Sequence, residues 1–580
     1  HTDRQAVYAH DANGEPYAIA ITNATQPGQS RVIEKGTKNE FYTVNLFSDY
    51  SRQLGDHYFK VMGGFNAEHQ NVRTLSTQRD GIIVPDLPTI DTSTEQDVAG
   101  GGYNHWATAG FFGRLNYNYK EKYLLEVNGR YDGTSRFMKD QRWNFFPSFS
   151  LGWNVARENF WKPLESVVNQ FKLRGSWGEL GNQNTSNLYP FYEILPVKSN
   201  SGNWLVNGGK TNTADIPSLV STLLTWERVR SFNVGFDFGA FSNRLTGSFD
   251  YFVRKAVDMV GPAPQLPLVL GIAPAIVNNA DMKSYGFEIE LSWRDRIGEV
   301  DYGVKFNLAD AQQKVVKYPN TTNAFSDWYA GKMSGEIWGY TSLGIAKTDE
   351  EMKEHLASLP NGGQNQLGNK WGAGDIMYAD INGDGKIDGG KGTLADPGDQ
   401  RIIGNSTPRY NFGLVLDASY KGFDVSIFFQ GVGKRDYAPI VGTNGAVFWG
   451  AVNNIWQSMA MEEHFDYFRP EGHPMGANLN GYYPRPDFTS NKNHQVQTRY
   501  LQDASYIRLK NLQIGYTLPK QWINKLHINR CRVYVSGDNL WTGTSLASMF
   551  DPETLAAGDW GSGKTYPLSK VISFGLNVNF

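Results

Sequence analysis

The sequence predicts an all-β fold, a transmembrane antiparallel β-barrel with long extracellular loops. Apolar and polar residues alternate with a period of two in segment after segment, and short turns alternate with long polar connections. The alternating segments are roughly 11–15 residues long, which fits a tilted bilayer crossing better than the ~5–6-residue strands of soluble sandwiches. Within lipid every backbone N–H and C=O needs a partner, and a closed sheet supplies one.

The first clear hairpin is predicted over residues 111–131. Apolar and polar residues alternate from Phe111 to Tyr119, a tight turn follows at Lys120–Lys122, and the alternation resumes from Tyr123 to Tyr131. We expect the apolar face to contact lipid and the polar face to contact the lumen. Before this hairpin, residues 1–21 contain one doubtful strand.

The same alternation returns along the rest of the chain, at residues 232–238, 285–293, 302–308, 410–416 and 572–580. Short turns are predicted near Leu54–Asp56, Tyr119–Lys122, Gly239–Asn243, Arg294–Gly298 and Tyr420–Gly422. Long polar loops are predicted at about 72–106, 182–227, 255–282, 316–407, 437–499 and 544–568, with a helix within them over Thr348–Leu359. The total is about 15 strands plus the doubtful one.

Composition narrows the class of protein. The 580 residues carry a formal net charge of −3, which gives no cationic excess for nucleic acid. Mean hydropathy is −0.46 and no run of about 18 apolar residues occurs, so no membrane-spanning helix is predicted. The single cysteine, Cys531, excludes disulfide frameworks. The sequence starts at His1 with no basic n-region and no apolar h-region, so we expect a mature chain or a fragment.

Two alternative folds follow from the same pattern. A soluble all-β sandwich or propeller would also show alternation, but no fixed-period repeat supports a propeller. A barrel of about 16 strands could close alone as a porin-like passive channel or a surface adhesion scaffold.

One motif predicts metal chemistry. Asp380, Asn382 and Asp384 occupy positions 1, 3 and 5 of a calcium-type loop; Lys386 would offer its carbonyl at position 7, and Asp388 falls at position 9. Position 12 is Lys391 rather than a bidentate acid, and Asp396 or Asp399 could substitute. The sequence therefore predicts Ca²⁺ or another hard divalent ion, with a metal-free Asx/Gly-rich turn as the alternative.

No residue set predicts catalysis. His464 and His473 lie in EEHFDYFRPEGHP, which has neither a zinc-helix spacing nor a serine–histidine–acid arrangement. The segment GDGKIDGGKG lacks the ending of a phosphate-binding loop. We therefore predict that the protein is not an enzyme.

Several collinear motifs carry a family resemblance. They are RYDGTSRF (130–137), WNFFPSFSLGWNVARENFW (143–161), FKLRGSWGELGNQN (171–184), NNADMKSYGFEIELSW (278–293), DINGDGKID (380–388), YLQDASYIRLKNLQIGYTLP (500–519), VYVSGDNLWTGT (533–544) and YPLSKVISFGLNVNF at the end. Over roughly residues 40–580 the sequence resembles the C-terminal part of SusC/RagA TonB-dependent outer-membrane transporters of Bacteroidetes. The family's calcium-type loop is extracellular.

The resemblance implies a domain organisation and a set of partners. Residues 1–580 would form the C-terminal part of the barrel, the last ~16 of about 22 strands. The plug, the N-terminal extension and the first strands would lie elsewhere, on the same protein or on a companion chain. The implied partners are TonB acting through the plug, a SusD-like surface lipoprotein, outer-membrane lipid, and an oligosaccharide or oligopeptide taken up through the outer membrane of a Gram-negative bacterium.

Candidate contacts for that ligand are loop residues that stack on sugar rings or bind polar groups. They are Trp204, Trp328, Tyr329, Phe448, Trp449, Trp456, Tyr482, Tyr483, Arg485 and Trp560. Girdle packing or loop–loop packing is the alternative for each of them. Phe580, the aromatic end of an apolar-outward strand, is predicted to be the signal for membrane insertion.

Overall fold

The computed structural model describes most of the chain: residues 4–10, 16–23, 31–84, 86–94, 97–185, 187–262, 267, 269, 271–272, 274–439, 446–450, 461–487, 492–524, 527–555 and 566–580. Short strands β1 (Arg4–His10) and β2 (Pro16–Asn23) at its start form a separate two-stranded sheet. The predicted strand within residues 1–21 is therefore a hairpin outside the main sheet. Among the described residues the main sheet has fifteen strands, in agreement with the about 15 predicted besides the doubtful one.

The fifteen strands of the main sheet are antiparallel, and each pairs with its neighbours in chain order. They are β3 (Arg31–Leu54), β4 (His57–Asp80), β5 (Asp97–Tyr119), β6 (Tyr123–Thr134), β7 (Trp143–Asn154), β8 (Val168–Asn182), β13 (Glu227–Ala240), β14 (Leu245–Gly261), β15 (Val277–Ile297), β16 (Val300–Lys317), β21 (Arg409–Tyr420), β22 (Phe423–Lys434), β25 (Tyr506–Thr517), β26 (Arg530–Thr544) and β27 (Val571–Asn579).

The remaining strands belong to the long loops. They are β9 (Val197–Lys198), β10 (Leu205–Val206), β11 (Gly209–Lys210), β12 (Thr213–Ala214), β17 (Glu336–Gly339), β18 (Ser342–Ile345), β19 (Ile376–Tyr378), β20 (Arg401–Asn405), β23 (Asp436–Tyr437) and β24 (Gln502–Asp503). The helices are α1 (Asp349–Ala357), α2 (Ala446–Trp449) and α3 (Lys520–Ile523). Short 3-10 turns occur at Lys139–Gln141, Val155–Arg157, Asn159–Leu164, Glu462–Phe465 and Thr498–Tyr500. In the described part of the chain, no helix has both the length and the apolar character needed to cross a bilayer.

The register gives the sheet two chemically different faces. Phe111 lies opposite Tyr131 and Leu115 opposite Val127, on the face that we call the outer face. On the other face, the inner face, the side chain of Asn116 donates to Glu126 over 2.6 Å. The predicted alternation of an apolar and a polar face is therefore confirmed for this hairpin.

Some strands extend far beyond their predicted ends. The segment 72–106 was predicted as a loop, but β4 continues to Asp80 and β5 starts at Asp97. The segment 255–282 is shortened in the same way, because β14 ends at Gly261 and β15 begins at Val277. These extensions lie beyond the ~9–11 residues that cross the bilayer, so water can solvate both of their faces. Their sequence therefore shows no alternation of apolar and polar residues, and the pattern did not predict them as strands.

The sheet is open at both edges within the described residues. β3 pairs with β4 alone, and β27 pairs with β26 alone. Both edge strands are long enough to accept a further strand, at 24 and 9 residues. A backbone ladder left unpaired in lipid is costly, so these edges need partners in the membrane.

Candidate functional site

Three long loops at one end of the sheet form a common hydrophobic core, which we call the loop core. It takes side chains from the loops 318–408, 435–505 and 545–570. Its buried members are Tyr340, Leu359, Ile376, Tyr378, Ile387, Phe448, Trp449, Tyr483, Tyr500, Ala504, Leu546, Phe550 and Leu555. The described parts of the three loops therefore fold as one packed body.

Helix α1 belongs to the first of these loops and begins where the sequence predicts. The Thr348 hydroxyl accepts a hydrogen bond from the backbone N–H of Glu351, and three acidic residues occupy the first turn. Both features stabilise a helix N-terminus. Met352, 1 % exposed, anchors the helix to the protein interior.

A buried carboxylate joins two of the loops. Asp375 is fully buried and accepts hydrogen bonds from Arg485 Nε at 2.8 Å and from Lys492 Nζ at 2.9 Å. The amide of Asn493 adds a third donor at 2.9 Å. Because the partners lie more than a hundred residues from Asp375 in sequence, this cluster fixes loop 435–505 against loop 318–408.

A buried histidine lies in the same loop core. His494 is 1 % exposed, and its ring centroid lies 4.6 Å from that of Trp449. Its Nε2 has no hydrogen-bond partner within the part of the chain that the structure describes. Burial lowers the pKa of His494 to about 4, although Asp487 acts in the opposite direction.

The predicted calcium-type loop is folded by hydrogen bonds from backbone N–H groups to carboxylates. Asp380 accepts from Gly383 and Gly385 at 2.7 and 2.9 Å. Asp399 accepts from Ile381 at 2.7 Å and from Asp388 at 2.9 Å. Burial raises the pKa of the Asp399 carboxyl, and these backbone donors partly offset the increase.

The acidic side chains of this loop do not converge on one point. No group of three or more His, Cys, Asp or Glu residues in the described chain is close enough to hold a metal ion. The Lys386 ammonium instead lies 3.7 Å from Asp384 and bonds to Asp388. The carboxylate and carbonyl oxygens of this loop are of the kind that bind Ca²⁺. However, the Lys386 ammonium lies between Asp384 and Asp388, where a bound cation would otherwise lie.

The predicted ligand contacts fall into four groups. Trp204 and Trp328 are exposed, at 60 % and 43 %. Phe448, Trp449 and Tyr483 are buried in the loop core, where they pack on protein.

Three further predicted contacts are held by polar partners, and two lie outside the described residues. Arg485 is bonded to Asp375, and the Tyr329 hydroxyl donates to Glu336 over 2.5 Å. Tyr482 is partly buried beside the loop core, and its hydroxyl accepts from Gln502. Trp456 and Trp560 lie outside the described part of the chain. Ligand contact stays a prediction for the whole set, and for the buried members it would require the loops to open.

Phe580, the predicted insertion signal, and the two histidines considered for catalysis have these places in the structure. Phe580 follows β27 and is 84 % exposed. His464 is 9 % exposed and is bonded to the carbonyls of Val447 and Phe448, so it holds α2 in place. His473 lies beside Tyr467, with 3.5 Å between its Nε2 and the tyrosine hydroxyl.

Below the loops, charged residues cover part of the inner face of the sheet. Arg174 on β8 donates to Asp237 on β13 at 2.9 Å and to Asp250 on β14 at 2.5 Å. The inner face can therefore support a hydrated or protein-filled lumen, with the loop core at the end of that lumen.

Comparison with known proteins identifies relatives of this architecture. A family described as TonB dependent receptor-like, beta-barrel, matches residues 2–540. TonB-dependent receptor P3 of Formosa agariphila is 28 % identical over 581 residues, which cover 93 % of this chain and 52 % of the relative. TonB-dependent receptor SusC of Bacteroides thetaiotaomicron is 24 % identical over 554 residues, covering 93 % of this chain and 50 % of SusC.

A solved structure shows the same fold. The RagAB peptide transporter superposes with a TM-score of 0.75 at 20 % identity, covering 96 % of this chain and 57 % of the matched chain. The chain therefore spans about half the length of the relatives that it matches. These relatives are receptors and transporters, not enzymes.

Proposed function

Because the chain belongs to the TonB-dependent receptor-like β-barrel family, an outer-membrane family, we propose that it is the barrel segment of a SusC-like importer. The importer would take up oligosaccharides or oligopeptides delivered by a SusD-like surface lipoprotein. TonB would energise uptake through a plug domain held in the lumen.

One observation supports this proposal most strongly: the loop core at the end of a polar-walled sheet. Thirteen buried side chains from three loops build a body that can hold a ligand or a partner protein above the lumen. A lipoprotein that closes over it would bury the exposed Trp328 of loop 318–408. Aromatic faces of this kind suit sugar rings and apolar peptide side chains alike.

The open sheet favours an importer over a self-contained channel. A porin-like barrel would need its first and last strands to pair, whereas β3 and β27 have separate single partners among the described residues. In an importer barrel, further strands would pair with both edges, and the plug would lie in the lumen.

Uptake by whole cells tests the proposal. Cells with and without the protein are given a defined panel of oligosaccharides and oligopeptides, and disappearance of each from the medium is measured by mass spectrometry. We expect loss of the protein to stop uptake of one class, and a protonophore to stop it in parental cells. Uptake that is unchanged by the deletion, or that persists fully without an energised membrane, would contradict the proposal.

We also propose that the loop Asp380–Asp399 binds Ca²⁺. Its oxygen donors are Asp380, Asn382 and Asp384, the carbonyl of Lys386, and Asp388. Binding would require the Lys386 ammonium to leave Asp388, so that the cation replaces it. The bound ion would neutralise the carboxylates and stiffen an exposed part of the loop 318–408.

A further inference from the structure

Four cationic residues lie side by side on four adjacent strands. Arg230 on β13 is opposite Lys255 on β14, Lys255 is opposite Lys283 on β15, and Lys283 is opposite Lys314 on β16. Directly opposed residues point to the same face of a sheet. With strands ~4.8 Å apart, the four side chains form a row roughly 14 Å wide, which we call the cation row.

The cation row lies on the outer face. The next row toward the short turns consists of Phe232, Val253, Tyr285 and Gln312, which are also directly opposed. Below it the same face of β15 continues with Phe287, Ile289, Leu291 and Trp293. The face that carries the four cations is therefore the one predicted to contact lipid.

The height of the cation row corresponds to lipid headgroups. Tyr285 and Trp293 end the apolar stretch of β15, eight residues apart. A rise of ~3.3 Å and a tilt of ~40° place them about 20 Å apart along the membrane normal, and Lys283 about 25 Å from Trp293. An apolar band of ~25 Å with aromatic girdles ends at this level, on the side of the long loops.

The charge of the row is only partly balanced by protein. Arg230 donates to Glu179 at 2.7 Å. For Lys255, Lys283 and Lys314, no ion pair occurs within the described residues, and the Lys283 ammonium lies 5.0 Å from the centroid of the Tyr285 ring. Like charges directly opposite each other destabilise a sheet, so an anion at this place would relieve the repulsion.

Nearby acidic residues already have other partners. Asp310 is bonded to Arg409, and Asp258 to Arg228 at 2.5 Å. Asp281 accepts a hydrogen bond from the backbone N–H of Asp258 at 3.0 Å. The three lysines therefore face outward without a protein counter-ion in the described chain.

We propose that the cation row binds the phosphate groups of a lipid in the outer leaflet of the membrane. The acyl chains of that lipid would lie against Phe232, Val253 and Tyr285, while the lysine ammonium groups contact its phosphates. Lysine binds phosphate as a point charge, and clusters of basic residues at a membrane surface recognise anionic headgroups. The lipid would thereby neutralise the row and fix the height of the barrel in the bilayer.

Native mass spectrometry of the protein purified from outer membranes tests this proposal. The probes are phosphorylated lipid A, the same lipid A after enzymatic removal of its phosphates, and inorganic phosphate. The test variant is Lys255→Gln/Lys283→Gln/Lys314→Gln. The matched control is Lys120→Gln/Arg296→Gln/Lys421→Gln, which removes the same charge at or directly beside three short turns at the opposite end of the strands. Heat-modifiable migration on gels checks that every variant is folded.

We expect the parental protein and the control to bind phosphorylated lipid A equally, and the test variant to bind it at least about tenfold more weakly. The dephosphorylated lipid should bind the parental protein as weakly as the variant does. A Lys→Arg version of the row should retain binding. The proposal would be overturned if the test variant bound phosphorylated lipid A as tightly as the parental protein does. It would also be overturned if the parental protein bound dephosphorylated and phosphorylated lipid A equally, or if inorganic phosphate at equal concentration displaced the lipid.

Discussion

Asp375 shows how a single residue can hold two loops together. Its carboxylate is fully buried and meets two cationic side chains, one of them, Lys492, only 1 % exposed. Removing one member of a buried ionic cluster leaves the other charges unpaired, which costs far more than the cluster gains by forming.

We expect Asp375→Ala to destabilise the loop core by about 3–5 kcal/mol. Native-state hydrogen exchange of the amides in 340–380 and 480–505 measures this free energy of local opening. The control is Asp215→Ala, because Asp215 pairs with Lys198 and both side chains are about half exposed. We expect this substitution to change local stability by less than about 1 kcal/mol. Equal effects of the two substitutions would contradict the assigned role.

His494 makes the loop core sensitive to acid. Its pKa is lowered to about 4 in the folded state, from a value of 6.5 when it is solvated. Between these two values the unfolded loop binds more protons than the folded loop, so stability rises with pH. The contribution of neutral His494 is complete above pH ~6.5 and is lost progressively as the pH falls toward ~4.

We therefore expect the loop core to lose roughly 3 kcal/mol of local stability between pH 7 and 4 through this residue. The His494→Gln variant, which cannot titrate, isolates the effect, because other acidic groups contribute equally to both proteins. Hydrogen exchange across this pH range supplies the measurement. Parallel pH profiles for parent and variant would show that His494 is not the titrating group.

Residue roles were predictable only where they depend on neighbours in sequence. The spacing of Asp380, Asn382 and Asp384 marks a loop directly. The cluster around Asp375 could not be found in this way, because it unites residues 110 or more positions apart. For Trp449 and Tyr483 the sequence left both ligand contact and loop–loop packing open, because a loop aromatic looks identical in sequence whether it faces water or a loop core.

At the scale of elements, membrane-crossing strands were predictable and their extensions were not. Lipid on one face enforces alternation, as from Tyr285 to Trp293 on β15. Above the bilayer that constraint ends, so the polar stretch ending β4 at Asp80 looks like a loop in sequence. The end of β4 is held to β3 and β5 by backbone hydrogen bonds, which any residue except proline can form.

The calcium-type loop gives a prediction at this scale. We expect calorimetric titration of the parental protein with Ca²⁺ to show binding heat that is lost in Asp380→Ala/Asp384→Ala. Glu350→Ala/Glu354→Ala on α1 is the matched control, since it removes two exposed carboxylates from the same loop. It should retain the heat of binding.

A complementary variant tests the place of Lys386 in that loop. Lys386→Ala removes the ammonium from Asp384 and Asp388, so it should strengthen Ca²⁺ binding. Absence of binding heat in both the parent and Lys386→Ala would show that the loop is a metal-free turn.

The whole molecule is defined by its open sheet. Fifteen strands in one order leave β3 and β27 with a single partner each among the described residues, although their outward side chains include the strongly exposed Leu46 and Phe574. In the bilayer, unpaired backbone groups along β3 would cost several kcal/mol each, so we expect the assembled barrel to contain further strands that join these two edges.

Hydrogen exchange on the two edges tests this conclusion. In the chain of residues 1–580 refolded alone in detergent, we expect amides of β3 and β27 to exchange much faster than those of β15, which has a partner on each side. In the protein purified from outer membranes, all three strands should be equally protected, because added strands complete the ladder. The isolated chain should also form no stable conducting pore in planar bilayers. If it conducts steadily and protects β3 as well as β15, it closes on itself, and the passive-channel alternative is correct.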